Sequence, residues 1–170
     1  MPLIDRLPAV RGKLSSNVAL APYTWLRVGG PAEAFFMPKD EADLAHFLSS
    51  TPADIPVQVL GVASNTLVRD GGVPGVTIRL GPAFAKVTCK GTTVHAGAAA
   101  LDNKVAREAA KAGISGLEFY AGVPGTIGGA LRMNAGCYGG ETKDVLKQAV
   151  AIDRRGRRQV IPLPEMQYAY

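Results

Sequence analysis

One stretch constrains this chain more than any other. Between Gly116 and Glu141 glycine recurs at positions 116, 122, 125, 128, 129, 136, 139 and 140, too densely for a simple connector. Pro124 suits the first turn of a helix, where its missing N–H is no loss. The residues that follow, to Met133, can continue that helix. Gly128 and Gly129 make it a poor helix by propensity, so their presence implies close approach of something to its backbone. Two readings fit: tight helix–sheet packing, or a phosphate group against the N-terminal N–H groups and the positive end of the helix dipole.

A second loop has the same character. Gly61-Val62-Ala63-Ser64-Asn65-Thr66 directly follows the apolar run Val57–Leu60, which reads as a short buried strand. Small residues let a ligand reach the backbone, and successive N–H groups form an anion-binding nest. The same residues also fit a tight Asx or Ser turn. Neither loop has the Gly-x-x-x-x-Gly-Lys-Ser/Thr pattern of a P-loop. Neither is a Gly-x-Gly-x-x-Gly placed between strand and helix. Two such loops in one chain favour a pyrophosphate held by some other scaffold.

The rest of the chain reads as α+β. Leu3, Leu7, Val10 and Leu14 fall at helical spacing, interrupted by Pro8, so residues 1–20 form an N-terminal leader that packs on the domain. Ala34–Met37 reads as a strand. Asp40 caps a helix whose apolar face carries Leu44, Phe47 and Leu48. Val76–Leu80 is a further strand. Phe84–Cys89 and Thr92–Gly97 read as a hairpin, Asp102–Ala112 as a helix stopped at Gly113, and Val145–Asp153 with Gln159–Ile161 as a second hairpin turning at Arg154-Arg155-Gly156. The expected organisation is the leader 1–20, one subdomain over 21–80, and a second, incomplete one over 81–170.

Composition removes several functions. With 47% hydrophobic residues the chain can build a core. No apolar run is long enough for a membrane span, and Met1–Arg6 does not read as a secretory signal, so a cytoplasmic protein is expected. Cys89 and Cys137 do not make a disulfide framework, and with only His46 and His95 besides they assemble no metal site. A net charge of +5 suits an anionic ligand, a nucleotide or a nucleic acid alike. The densest basic cluster, Arg154, Arg155, Arg157 and Arg158, lacks interleaved aromatics and reads as a solvated hairpin turn rather than a nucleic-acid contact. Arg27 and Arg132 either face a ligand or pair structurally. Trp25, Tyr120 and Tyr138 stack near an aromatic ligand or fill the core.

Three stretches together resemble the UDP-N-acetylenolpyruvoylglucosamine reductase (UDP-N-acetylmuramate dehydrogenase) family. They are Thr24-Trp25-Leu26-Arg27-Val28-Gly29-Gly30-Pro31-Ala32, then Gly61 through Gly72, then Gly116 through Gly136. Thr66 departs from the leucine more usual there. The resemblance implies a vanillyl-alcohol oxidase type (PCMH-type) FAD-binding fold, in which two small α+β subdomains clasp FAD. It implies FAD contacts from Gly61, Val62, Ala63, Ser64, Asn65, Thr66 and Leu67, and from Val123, Pro124, Gly125, Gly128, Gly129, Asn134, Ala135 and Gly136. It implies that NADPH reduces the flavin, which passes hydride to the enolpyruvyl group of a UDP-sugar in peptidoglycan synthesis, in a monomeric enzyme without nucleic-acid or membrane partners.

The family's enolate-stabilising arginine follows a tyrosine matched by Tyr170. Its proton-donating serine and its glutamate come later still. The chain is therefore expected to be an N-terminal, FAD-binding fragment without the substrate domain. It would have no catalytic residue of its own and weakened FAD affinity, and Ser115 and Glu118 do not substitute. Cys137 is expected to be a free thiol. Two alternatives stand beside this reading: another flavin oxidoreductase of the same fold, and a basic nucleic-acid-binding module without cofactor.

Overall fold

The computed structural model describes residues 1–168, which fall into two compact units. The first comprises residues 1–83 together with 152–158, the second 84–151 with the remainder of the chain.

The first unit is built on one mixed sheet. Strands β1 (Lys13–Ala19), β2 (Pro31–Met37), β3 (Val57–Val59) and β4 (Val73–Ile78) lie in the order β1-β2-β4-β3. β1 runs antiparallel to β2, whereas β4 is parallel to both β2 and β3. Helix α1 (Glu41–Ser50) follows β2, and its Phe47 and Leu48 close a core with Ala34, Phe36, Ile55, Val76 and Ile78. Phe36 and Phe47 meet with ring centroids 4.3 Å apart.

The leucine spacing in residues 1–20, interrupted at Pro8, produces no regular α-helix. Leu3–Arg6 is one 3-10 turn, and the chain then extends into β1. Leu3, Leu7, Val10 and Leu14 do pack against the core. Val57–Val59 is an edge strand rather than a buried one, and Val59 is 67% exposed.

Asp40 caps α1 as its sequence implies, accepting the Asp43 N–H at 2.9 Å. Asp43 itself is buried and accepts backbone N–H bonds from Arg11, Gly12 and Lys39 at 2.8–2.9 Å. Burial pushes its carboxyl up, but those three N–H donors and the Arg11 charge outweigh it and leave the group below the usual carboxylate range.

The arginine-rich tip of the second hairpin also belongs to this unit. Arg154 donates to the Pro52 and Ile55 carbonyls, both at 3.2 Å. Arg157 pairs with Asp153 at 2.8 Å and Arg158 with Glu41 at 3.4 Å. A Cβ at Gly156 would stand 2.5 Å from the Ala45 carbonyl oxygen, so the turn sits directly on α1. The four arginines are exposed on a hairpin turn, as expected, with Arg154, Arg157 and Arg158 also tied to neighbouring residues.

The second unit holds the hairpin of β5 (Val87–Lys90) and β6 (Thr93–Ala96), with α2 (Asp102–Lys111) ending in a Gly113 of positive φ. After a 3-10 turn at Glu118–Gly122 come α3 (Ile127–Met133), the two-residue strands β7 (Gly136–Cys137) and β8 (Gly140–Glu141), and α4 (Thr142–Val145). β9 (Gln148–Ile152) and β10 (Arg158–Pro162) form the second hairpin. Ala100, Val105, Ala106, Phe119, Tyr120, Ile127 and Ala130 make the core. Among the described residues no helix is long and apolar enough to cross a membrane, and no metal-binding cluster occurs.

Asp43→Ala removes one acceptor from three partly buried N–H groups. It should lower the stability of the chain at pH 7 by about 3 kcal/mol in urea unfolding. The difference from wild type should fade as pH falls through the folded-state pKa, because a depressed carboxylate stabilises only while ionised.

Candidate functional site

The parallel pairing of β3 with β4 places the first glycine loop. The last ladder bond there is Leu60 N–H to the Ile78 carbonyl, at 2.8 Å. The loop then leaves the carboxyl end of β3, the edge at which open α/β sheets bind ligands. Ala63 takes a left-handed φ of 53° and is buried, and its carbonyl accepts the Trp25 N–H at 3.4 Å. Ser64 and Asn65 form a tight turn, and among the described residues the backbone N–H groups from Gly61 to Val68 make no well-formed hydrogen bond to a protein acceptor. The side chains of Ser64, Asn65 and Thr66 likewise make no hydrogen bond there, and Asn65, Thr66 and Leu67 are exposed. A loop that presents donors and no acid has the chemistry to receive an anion.

The second glycine loop is arranged differently from its sequence reading. α3 begins at Ile127 rather than at Pro124, with Thr126 as its N-cap. An antiparallel bridge joins Leu101 to Thr126. It brings the Ile127 N–H to the Ala100 carbonyl at 2.9 Å and the Gly128 N–H to the Ala98 carbonyl at 2.8 Å. Those two helix-terminal donors are therefore engaged within the protein.

What this loop offers is bare backbone. At Gly128 a Cβ would press within 3.1 Å of Ala98, so its glycine is explained by packing. At Gly129 the nearest group to an added Cβ is Thr126 Oγ1 at 3.7 Å, and the residue is exposed. Nothing in the fold of this unit requires glycine at 129. Val123, Pro124 and Gly125 lead into the helix, with Pro124 exposed.

Asn134, Ala135 and Gly136 are tied into structure. Asn134 ends α3 in the left-handed region at φ 47°, donates to Glu141 at 2.9 Å and accepts the Lys143 N–H at 2.9 Å. The Ala135 carbonyl accepts from Thr142 Oγ1 at 2.8 Å. Thr142 in turn is the acceptor for Tyr120 Oη at 3.2 Å, which places Tyr120 in the core beside Phe119. Tyr138 and Arg132 are exposed, and Cys137 is a free thiol. Glu118 accepts the Gly116 N–H at 2.8 Å as part of a turn.

Sequence reasoning missed Asp102. As an acid in the first turn of α2 it reads as a routine dipole partner. In the structure it is fully buried, its backbone N–H donates to the Gly125 carbonyl at 3.2 Å, and neither carboxylate oxygen has a hydrogen-bond partner. Burial pushes its pKa up to about 7. The glycine-rich loop is thus underlain by a carboxyl that prefers to be neutral. Because the folded-state pKa is raised, the folded chain holds the proton more tightly, and stability falls as pH rises between the unfolded and folded values. Unfolding in urea should show wild type losing about 3 kcal/mol between pH 5 and pH 8, a slope absent from Asp102→Asn. Equal slopes in both would remove Asp102 as the cause.

The family model described as FAD binding domain matches residues 32–161. The chain is 66% identical over 167 residues to the UDP-N-acetylenolpyruvoylglucosamine reductase of Phenylobacterium zucineum (strain HLK1), covering 98% of this chain and 56% of that protein. It is 61% identical over 168 residues to the reductase of the same name from Parvibaculum lavamentivorans, covering 99% and 54%. The chain therefore spans about half the length of the curated relatives it matches. Among solved structures, UDP-N-acetylenolpyruvylglucosamine reductase from Thermus caldophilus superposes with a TM-score of 0.78 at 36% identity, over 95% of this chain and 56% of that one. The 6-hydroxy-D-nicotine oxidase of Arthrobacter nicotinovorans superposes with a TM-score of 0.65 at 15% identity, over 92% and 37%. This second likeness is one of fold alone, and the fold is the α+β, vanillyl-alcohol oxidase type.

Proposed function

The chain belongs to the FAD-binding-domain family, and on that premise we propose that it is the FAD-binding portion of an NADPH-dependent reductase that converts UDP-N-acetylglucosamine enolpyruvate to UDP-N-acetylmuramate. FAD is the cofactor of the family. When bound, it supplies hydride transfer between a nicotinamide and an acceptor, chemistry that side chains alone do not provide.

The observation that carries this reading is the run of unengaged N–H donors from Gly61 to Val68. In the proposal they hold the diphosphate of FAD, with Ser64, Asn65 and Thr66 adding side-chain donors. Gly129 in the second unit gives the cofactor an approach free of Cβ, flanked by Val123, Pro124 and Gly125. Asn134, Ala135 and Gly136 act by fixing the turn after α3 rather than through free polar groups. Asp102, with its pKa raised to about 7, carries less negative charge beneath Gly125 at neutral pH than an ordinary carboxylate would.

The proposal gives this chain the cofactor and leaves enolate stabilisation and proton donation to sequence beyond it, as the coverage of about half of each relative suggests. Tyr170, which the family resemblance aligns beside the enolate-binding arginine, lies outside the described residues. The place of action proposed is the cytoplasm, as a monomer. A nucleic-acid-binding role is disfavoured because Arg154, Arg157 and Arg158 are bonded to Pro52, Ile55, Asp153 and Glu41. A different flavin oxidoreductase on the same fold is disfavoured by the 61–66% identity to reductases of a single name.

Titrating the purified chain with FAD should quench flavin fluorescence and shift the flavin absorbance, and absence of both at saturating protein would sink the reading. The chain alone should show no NADPH-dependent reduction of the enolpyruvyl substrate, and steady turnover would contradict that division of labour. Gly129→Ala should stabilise the cofactor-free chain by about 0.5–1 kcal/mol, as alanine does in a helix interior, while weakening FAD. Unchanged FAD affinity in this variant would remove Gly129 from the site.

A further inference from the structure

A cleft of about 340 Å³ in the first unit is lined by Pro22, Tyr23, Thr24, Trp25, Arg27 and Arg79, with Val62 from the first glycine loop. It holds two guanidinium groups and no carboxylate. Neither Arg27 nor Arg79 forms an ion pair among the described residues. The Arg79 guanidinium lies over the Tyr23 ring, 4.8 Å from its centroid, and its Nη1 is buried without a hydrogen-bond partner. Arg27 is held in the left-handed region at φ 58°, with Nη1 donating to the Pro22 carbonyl at 2.9 Å.

Each of these features is unfavourable for an isolated fold. A charged donor buried without an acceptor is destabilising, and a second cation in the same cleft adds repulsion. A residue other than glycine at positive φ is strained. One anion in the cleft relieves the first two, because a guanidinium fork meets phosphate oxygens with two parallel bonds. Val62 ties the cleft to the donor-only loop, and the bond from Trp25 N–H to the Ala63 carbonyl fixes segment and loop together.

We infer that Arg79, with Arg27 beside it, is a guanidinium clamp on the diphosphate of the dinucleotide cradled by the Gly61–Val68 loop. This rests on the flavin reading above. The backbone N–H groups approach the diphosphate from the loop, and the clamp supplies the full positive charge that the loop lacks.

The test compares wild type, Arg79→Gln and Arg79→Lys, with Arg155→Gln as an equal change of charge on the exposed hairpin turn. FAD and ADP dissociation constants and the thermal midpoint of the cofactor-free chain are measured for each. Arg79→Gln should weaken FAD and ADP in parallel by about tenfold to a hundredfold. Arg79→Lys, which keeps the charge and loses the fork, should fall between it and wild type. Arg155→Gln should bind like wild type. The cofactor-free midpoint of Arg79→Gln should be unchanged or raised, since the unpaired charge is gone. An FAD constant within twofold of wild type in both Arg79 variants overturns the clamp while leaving the flavin reading intact. So does an effect on FAD without one on ADP, or a lowered midpoint that accounts for the lost affinity. Failure of wild type to bind FAD at all overturns the flavin reading and the clamp with it.

Discussion

The parallel register of β3 on β4 is the constraint from which the first unit takes its purpose. Val57, Gln58 and Val59 pair with Val76, Thr77 and Ile78, and Leu60 makes the final bond to Ile78. A parallel ladder ends abruptly at its carboxyl edge, and the chain must leave the sheet with its amides no longer matched to a neighbour. Here the departing segment is made of small residues, so nothing folds back to cap those amides. The N–H groups from Gly61 to Val68 are left without ladder partners because the strand that delivers them has ended. Around that edge the sheet brings Tyr23 against Phe35, with ring centroids 4.9 Å apart, and Arg79 over Tyr23.

The second unit uses a different device. Its glycine-rich loop is not a free helix terminus but a segment zipped to residues 98–101, with its first helical amides already bonded. Gly128 answers to packing against Ala98, and Gly129 answers to nothing within its own unit. The loop rests on Asp102, a carboxyl with no partner of its own. A buried acid of that kind weakens the fold once ionised, and burial raises its pKa to about 7.

Much of this was legible in the sequence. The Asp40 cap, the helix ended by Gly113 and both hairpins follow from local chemistry, because each depends on residues adjacent in the chain. The glycine loops stood out for the same reason, and the long motif from Gly116 to Gly136 pointed to flavin. The failures share a cause. The run Val57–Val59 reads as buried yet sits at the sheet edge, which sheet order alone decides. Asp102 and Arg79 look ordinary in sequence, and only buried polar atoms without hydrogen bonds, the Asp102 carboxylate oxygens and Arg79 Nη1, mark them. Signals that depend on what lies across the fold could not be read from neighbours along the chain.

The central claim is that the backbone of Gly61–Val68 holds the diphosphate of FAD. Amide hydrogen exchange of the chain with and without FAD tests it most directly. The account predicts slowed exchange across Gly61–Val68 on adding FAD, with the hairpin tip at residues 154–158 unchanged. Binding of FAD that leaves the exchange of Gly61–Val68 untouched would contradict it.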